Sequence, residues 1–304
     1  MRVVLRRLVL LAVFLVGVLA AGALAPHALR AQAAAEAGHD APQGAVQEIL
    51  LRDGSRIFGR VVSQDAERLV VVTTAGARVE IPRAQVDRMR IATGRQVDGA
   101  FWGEDPNLSR LFFTSTARPL PQGEGYVSSF MLFFPFVAYG VTDRFTMAGG
   151  TPIIPDAIGR VFYLAPKVTV SHRPGADYAV GALGFFSSKD EGSVGVLYGS
   201  GTWGTSDNAI TAGAGWGYAS SGSTLDLASK PVLMLGGERR INRRMKLVTE
   251  NWLPLGSSSH FVSGGVRFIG ERISADLGLG TFSEGGCCVP LVNFVWNFGG
   301  GARP

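Results

Sequence analysis

Five charged residues in the second half of the chain could do chemistry, because each lies on the polar face of a segment whose other face is apolar. They are Lys167, Glu238, Glu250, Arg267 and Asp276, although Trp252 shares a face with Glu250. If these segments enclose a lumen, the charges have two interpretations. They could form a constriction that selects ions or coordinates a solute, or an ion-paired core that fills a narrow interior. The near balance of opposite signs favours the ion-paired core.

A hydrolytic site is the other chemistry to consider, since a histidine can activate a serine for attack on a lipid ester. After the N-terminal segment the chain has His39, His172 and His260, and His260 follows three serines at 257–259. His260 and Ser263 fall on opposite faces of an extended segment, which disfavours a hydrogen-bonded pair. The sequence shows no phosphate loop or metal-ligand spacing. We therefore expect no catalytic residue, no metal, no cofactor and no enzymatic activity.

The last alternating segment indicates how such side chains are positioned. With period two, residues 290–298 place Val292, Phe294, Trp296 and Phe298 on one face, and positions 293, 295 and 297 on the other. In the earlier segments the polar face is mainly Gly, Ser, Thr and Asn. A soluble barrel would turn several Lys or Glu side chains per strand to water. An apolar outer face with a sparse polar inner face is typical of an outer-membrane β-barrel.

Turn signals divide residues 110–298 into strands, with short turns alternating with longer loops, and short turns are typical of the periplasmic side. The short turns lie at 142–144, 172–175, 205–208, 242–244 and 270–272. The longer loops lie at 152–159, 187–192, 220–229, 255–259 and 283–289. We place the first strand at 111–116 and the last at 291–298. The pattern predicts an all-β fold, an antiparallel transmembrane β-barrel of about twelve strands, with ten and fourteen as alternatives.

The N-terminus is typical of an export signal. Residues 1–33 combine early arginines, an apolar run and a small-residue cleavage site, and residues 34–47 form a predicted flexible leader. The chain has 29 basic and 24 acidic residues, but four arginines lie in residues 1–33, which leaves 25 basic against 24 acidic residues. The mature chain therefore has no basic surface for nucleic acid, and we expect no nucleic-acid partner.

A small β domain is predicted at residues 48–92. Its five strands lie at 48–52, 56–63, 68–74, 77–81 and 86–91, separated by turn signals such as Asp53-Gly54. The stretch from Leu50 to Val62, closing at 79–82, resembles the Sm-like and SH3-like small barrels. That resemblance implies a closed five-stranded barrel. We expect residues 93–109 to be a linker, 110–298 the membrane barrel and 299–304 a C-terminal tail.

Five short motifs are spread along residues 100–298. They lie at 102–107, 110–113, 123–126, 139–145 and 192–199, and the first reads Trp-Gly-Glu-Asp-Pro-Asn. In these motifs the chain resembles a family of uncharacterised bacterial outer-membrane β-barrels. The resemblance implies export, a barrel and a membrane location in a Gram-negative bacterium, and it supplies no substrate.

The aromatic residues near the C-terminus resemble an insertion signal. Outer-membrane barrels commonly end in an aromatic residue that the barrel insertion machinery recognises, and here the candidates are Phe294, Trp296 and Phe298. Gly299 to Pro304 follow them, so the signal is internal by six residues.

Two cysteines, Cys287 and Cys288, are adjacent in a predicted loop. An exported protein can keep a disulfide, and a thiol pair can also bind metal. We expect two ordinary loop residues.

These patterns place the protein in the outer membrane, in contact with its lipid, with the small domain in the periplasm. The first functional hypothesis is a channel or transporter for small solutes or lipids. The second is a structural or interaction protein, in which the barrel anchors a small domain that binds a periplasmic protein. The third is a surface lipid-modifying enzyme that uses His260.

Overall fold

A computed structural model of the chain describes residues 45–155, 157–187, 192–284 and 288–299. These residues divide into two compact units, with the boundary between Glu104 and Asp105. The predicted signal peptide, the leader up to residue 44, Cys287 and the tail after Gly299 lie outside the described residues. Within the described ranges, no helix is long and apolar enough to cross a membrane.

The first unit contains a five-stranded antiparallel sheet followed by a hairpin. Its strands are β1 (Gln47–Leu51), β2 (Arg56–Gln64), β3 (Arg68–Thr73), β4 (Arg78–Pro82) and β5 (Val86–Ile91). The hairpin strands are β6 (Gly94–Val97) and β7 (Ala100–Gly103). The five predicted strands are confirmed within two residues. The prediction that this sheet closes into a barrel is wrong, because the strand order is β4-β3-β2-β1-β5 and β4 and β5 form its two edges.

Alternation along the strands builds the core of this sheet. Ile49, Leu69, Val71 and Ile81 are buried and pack together, as period-two spacing requires of one sheet face. Glu48 is also buried, and Arg56 and Arg90 bind its carboxylate at 2.9 and 2.5 Å. The apolar cluster and this charged group together account for the register of β1 between β2 and β5.

The second unit is a closed antiparallel barrel of twelve strands, which confirms the predicted count. Its strands are β8 (Gly125–Phe130), β9 (Phe134–Gly140), β10 (Phe145–Gly150), β11 (Val161–Leu164), β12 (Lys167–Arg173), β13 (Ala176–Ser187), β14 (Gly192–Gly204), β15 (Asn208–Ser221), β16 (Thr224–Leu227), β17 (Val232–Asn242), β18 (Met245–Pro254), β19 (Phe261–Ile269), β20 (Ile273–Phe282) and β21 (Val289–Phe298). β11 and β12 form one interrupted wall strand, since both pair with β13. β16 pairs only with β15, outside the closed ring, and β21 pairs with β8 to complete that ring.

The connections have the predicted sidedness. Short turns join β9 to β10, β12 to β13, β14 to β15, β17 to β18 and β19 to β20, and most connections at the other end are longer. We call the two ends of the barrel the short-turn end and the long-loop end. Phe298 pairs with Gly125, so the first and last wall strands both have their outer termini at the short-turn end. An even strand number requires this arrangement.

The strand predicted at 111–116 is wrong. These residues form bends around one isolated bridge between Arg110 and Ser115, and the first wall strand is β8. Leu111 and Phe112 are both buried rather than alternating between two faces. The composition of these residues favours a β-strand. Their burial inside the barrel overrides this local preference and decides their conformation.

The outer surface of the wall is apolar around the whole ring. Every wall strand turns at least one large apolar side chain outward with more than a third of it exposed: Val127, Val137, Met147, Val170, Val180, Leu197, Ile210, Leu235, Leu247, Phe268, Leu277 and Phe294. In β21 the exposed Phe294 and Trp296 alternate with the buried Asn293 and Val295, as predicted. A closed wall with an apolar exterior and all strands paired is a transmembrane β-barrel of the outer-membrane type.

Candidate functional site

Residues 105–121 lie inside the barrel, and we call them the internal segment. Leu111 and Phe112 pack with the inward side chains Met234, Val248 and Leu291 of the wall. The segment folds back on itself, with the Leu111 N–H donating to the Thr114 carbonyl and the Thr116 N–H to the Ser109 carbonyl. The lumen is therefore filled by a piece of chain that belongs to no wall strand.

Asp276 of β20 is the centre of one charged group in the lumen. Its carboxylate receives Arg110 of the internal segment at 2.6 Å (Nη1 to Oδ2) and Arg267 of β19 at 2.8 Å (Nε to Oδ1). Asn293 donates to the same carboxylate at 3.1 Å, and Arg267 also donates to the Leu111 carbonyl at 2.6 Å. All these charged side chains are almost fully buried, so one carboxylate and two guanidinium groups stabilise each other away from water.

Lys246 of β18 is the centre of a second charged group. Its Nζ lies 2.6 Å from Asp105 Oδ2 and 2.7 Å from Glu238 Oε2. Arg118, at the far side of the internal segment, lies 3.5 Å from Glu238 Oε1. Asp105 and Arg118 thus attach both ends of the internal segment to neighbouring positions of β17 and β18.

Glu250 holds the tip of the internal segment. Its carboxylate accepts hydrogen bonds from the backbone N–H groups of Phe113 at 2.9 Å and Thr114 at 3.3 Å. Trp252 donates its indole N–H to the same carboxylate at 2.9 Å. Glu250 and Trp252 therefore share the inward face of β18, which explains why the sequence places an aromatic residue beside this charge.

Lys167 binds the returning half of the internal segment. Its Nζ donates to the carbonyls of Thr116 at 2.8 Å and Arg118 at 2.7 Å. Next to it, Thr169 donates to the Ala117 carbonyl, and the Ala117 N–H donates to Thr202 Oγ1, both at 2.9 Å. Wall side chains thus supply the hydrogen bonds that an irregular buried backbone needs.

The structure places all five sequence-predicted lumen residues inside the barrel. Arg267 and Asp276 contact each other and also bind the internal segment. Lys167, Glu238 and Glu250 bind the internal segment without contacting each other. Sequence reasoning missed four members of the two charged groups described above: Asp105, Arg110, Arg118 and Lys246. Lys246 could have been found, because it shares the period-two face of Glu250. Asp105 could not, because the sequence predicts a linker at 93–109. Arg110 and Arg118 could not, because they flank residues 111–116, for which the sequence predicts a wall strand.

Glu238, Arg267 and Asp276 lie in the half of the barrel nearer the short turns, and a cavity lies in the half nearer the long loops. This cavity is lined by Val196, Val232 and Trp252, from the long-loop halves of their strands. On its other side it is lined by Phe113, Thr114 and Ser115 of the internal segment. The space open to water-sized molecules is ≈ 80 Å³.

The candidate hydrolytic residues His260 and Ser263 are not hydrogen-bonded to each other. His260 Nδ1 is buried without a hydrogen-bond partner among the described residues, and Ser263 donates its hydroxyl to the Glu250 carbonyl inside the barrel. His172 lies in β12, not in a turn, and its Nδ1 lies 2.5 Å from Asp177 Oδ1. In the part of the chain that the structure describes, no three His, Cys, Asp or Glu residues are grouped as metal ligands.

The remaining predicted sites lie at the end of the wall. Phe294 and Trp296 face outward, and Phe298 is partly buried at the seam with β8. Cys288 is disulfide-bonded, so the expectation of an ordinary loop cysteine is wrong for this residue. Cys287 lies outside the described residues.

No protein-family model matches the chain, and no curated protein matches it. Among solved structures it is similar to a KdgM porin in complex with disordered oligogalacturonate, at 7% identity and a TM-score of 0.39, over 57% of this chain and 95% of that one. It is similar to the NanC porin at 10% identity and a TM-score of 0.36, over 57% and 97%. It is also similar to a loop-deletion mutant of OmpT, an outer membrane protein of Vibrio cholerae, at 9% identity and a TM-score of 0.35, over 83% and 96%. At these identities and scores, the similarity carries no conclusion about the function of this chain.

Proposed function

We propose that the protein is an outer-membrane channel for small solutes, and that the internal segment is its gate. The observation that carries this proposal is that polar contacts from the wall hold the segment in the lumen. Charged wall side chains such as Lys167, Glu250 and Arg267 bind its backbone and its ionic groups. When the segment leaves, water can replace each of these polar contacts, so the wall that remains is a solvated lumen. A wholly apolar core of the same volume would expose much more apolar surface than the patch that Leu111 and Phe112 cover.

The path of the internal segment supports a gating role. Asp105 binds Lys246, the second residue of β18, and the segment's other end leads through Gly123 into β8. Both ends of the segment are therefore at the short-turn end, and its tip at Phe113 to Ser115 reaches the cavity. A loop with this path can withdraw from the lumen without being threaded through the wall.

The short-turn end is assigned to the periplasm, as in outer-membrane barrels with short periplasmic turns. The first unit precedes Asp105 in the chain, so it belongs to the periplasmic side in this proposal. There it is available to a periplasmic protein, and a signal from such a partner would reach the internal segment along the chain.

A second candidate function is favoured by the filled lumen itself. In it, the internal segment is a permanent core, and the barrel anchors the small domain for a structural or interaction role. Deletion of residues 46–92 separates the two functions. Loss of periplasmic partners with unchanged solute uptake favours a binding role of the sheet in addition to a channel, and loss of partners in a barrel that never takes up solute favours the anchor.

Solute uptake into proteoliposomes tests the channel. The purified full-length protein is reconstituted, and the entry of small neutral sugars is followed by liposome swelling. We expect slow uptake by the wild type and uptake at least several-fold faster for Lys167→Gln, which removes the cation that holds Thr116 and Arg118. The matched control is Arg244→Gln, in an exposed turn. Equal rates for protein-free liposomes, wild type and Lys167→Gln would contradict the channel.

A further inference from the structure

The cavity at the long-loop side of the internal segment has the features of a ligand site. Its surface is mainly apolar, and six aromatic side chains contribute to it: Phe113, Tyr126, Phe136, Tyr163, Tyr198 and Trp252. Two of these turn their polar atoms away from the cavity. Tyr163 donates its hydroxyl to the Pro135 carbonyl at 2.9 Å, and Trp252 donates its indole N–H to Glu250 at 2.9 Å. Apolar ring surface is thereby left for a ligand.

Two hydroxyl groups in the cavity wall have no hydrogen-bond partner among the described residues. They are Ser200 Oγ on β14 and Thr114 Oγ1 on the internal segment. Ser200 is only 8% exposed, and a buried hydroxyl without a partner costs free energy that a ligand's polar group can recover. The two hydroxyls therefore specify where the polar group of a ligand would bind.

The charge of the ligand follows from the lining. None of the 18 residues that line the cavity carries a formal charge. Glu250 and Lys167, which lie behind the lining, already bind backbone groups of the internal segment. An ionised ligand would lose its hydration here without gaining an opposite charge.

We propose that this cavity binds a small neutral molecule with an apolar body and one or two hydrogen-bonding groups, which bind the hydroxyls of Ser200 and Thr114. The assignment deepens the proposed function and rests on it, because the ligand would be the solute that the channel carries. Since Phe113 and Thr114 belong to the internal segment, the ligand touches the wall and the gate at the same time. Ligand binding would then change the stability of the closed gate directly.

Binding of two naphthalene derivatives tests the site. The probes are 1-naphthol, which is neutral at neutral pH, and 1-naphthalenesulfonate, which puts a charge on the same rings. Their binding to the full-length protein in detergent is measured by titration calorimetry. We expect 1-naphthol to bind at least tenfold more tightly than the sulfonate. Equal affinities, or tighter binding of the sulfonate, would overturn the assignment.

Matched variants separate the cavity from uptake by the detergent micelle. Val196→Phe fills the cavity, whereas Val180→Phe adds the same bulk to the lipid-facing side of β13. We expect Val196→Phe to weaken 1-naphthol binding at least tenfold and Val180→Phe to leave it unchanged. Ser200→Ala, which keeps the shape of the wall, should weaken it by about threefold to tenfold, with Ser129→Ala as its control. Wild-type affinity in both Val196→Phe and Ser200→Ala overturns the site.

The proposed ligand site and the proposed channel can be contradicted separately. Solute uptake without specific binding of 1-naphthol would overturn the site and leave the channel standing. Specific binding that Val196→Phe removes, in a protein that takes up no solute, would support the site and overturn the channel.

Discussion

Arg110 and Asp276 lie 166 positions apart in the sequence, and their side chains form a buried ion pair with an Nη1 to Oδ2 distance of 2.6 Å. Arg110 belongs to the internal segment and Asp276 to the wall strand β20. Arg267 binds the same carboxylate from β19. This carboxylate therefore joins the internal segment to the wall of the barrel.

Replacement of Arg110 by alanine should loosen the internal segment. Breaking a buried ion pair costs about 3 to 5 kcal/mol, and we expect the low end of that range because Arg267 remains beside Asp276. The buried Phe112 should then become a site for chymotrypsin in the folded barrel, whereas in the wild type it is protected. Arg244→Ala, in an exposed turn, is the control. Wild-type resistance at Phe112 in the Arg110→Ala protein would show that the pair does not hold the segment.

Replacement of Glu250 by glutamine should free the tip of the segment. The carboxylate accepts hydrogen bonds from the N–H groups of Phe113 and Thr114, and a neutral amide accepts them more weakly. The loss of about 1.5 kcal/mol or more predicts hydrogen exchange at these two amides that is about tenfold faster or more. Asp226→Asn, on the exposed hairpin strand β16, should leave both rates unchanged. Unchanged exchange in Glu250→Gln would contradict the proposed anchor.

The wall could be predicted from the sequence because its determinants are local. Period-two alternation in β21 gave the outward Phe294 and the inward Asn293, and turn residues such as Thr142 to Arg144 marked the ends of strands. Alternation also placed Lys167, Glu238, Glu250, Arg267 and Asp276 inward without any knowledge of their partners. Each of these inferences needs a window of about ten residues.

The contents of the lumen could not be predicted, because their determinants are distant. Leu111 to Thr116 has the composition of a strand, and its burial depends on Met234, Val248 and Leu291. The role of Arg110 depends on Asp276, and the role of Asp105 on Lys246. The closure of the small sheet could not be predicted for the same reason. Its five strands follow from local pattern, whereas closure depends on pairing between the two edge strands.

A charge on the outer face of the wall should destabilise the barrel. Leu277 is 48% exposed in the middle of β20, where it faces lipid. Leu277→Arg should lower the free energy of unfolding in lipid vesicles by ~2 to 4 kcal/mol. Leu227→Arg, on β16 outside the ring, is the control and should have little effect. Equal small effects of the two substitutions would show that Leu277 does not face lipid.

Acid should loosen a turn of the small sheet. The backbone N–H groups of Arg68 and Glu67 donate to Asp65, which lowers the pKa of this carboxyl below its ordinary value of 3.8. The carboxylate therefore stabilises the turn fully above that ordinary pKa, and this contribution is lost as the pH falls through the lower folded value. Exchange at the Arg68 amide should rise with acid in the wild type, beyond its intrinsic pH dependence. Asp65→Asn should lack this extra rise, and the same pH response in both would contradict the mechanism.

The most direct measurement is single-channel recording in planar bilayers of the wild type, Arg110→Ser and the turn variant Arg244→Ser. The closed lumen predicts that the wild type and Arg244→Ser are mostly non-conducting, with rare openings as the internal segment leaves. It predicts that Arg110→Ser opens more often by at least tenfold, with an unchanged conductance in the open state, because the wall is the same. Silence of all three folded proteins, or equal open times in all three, would contradict the claim that the internal segment gates this barrel.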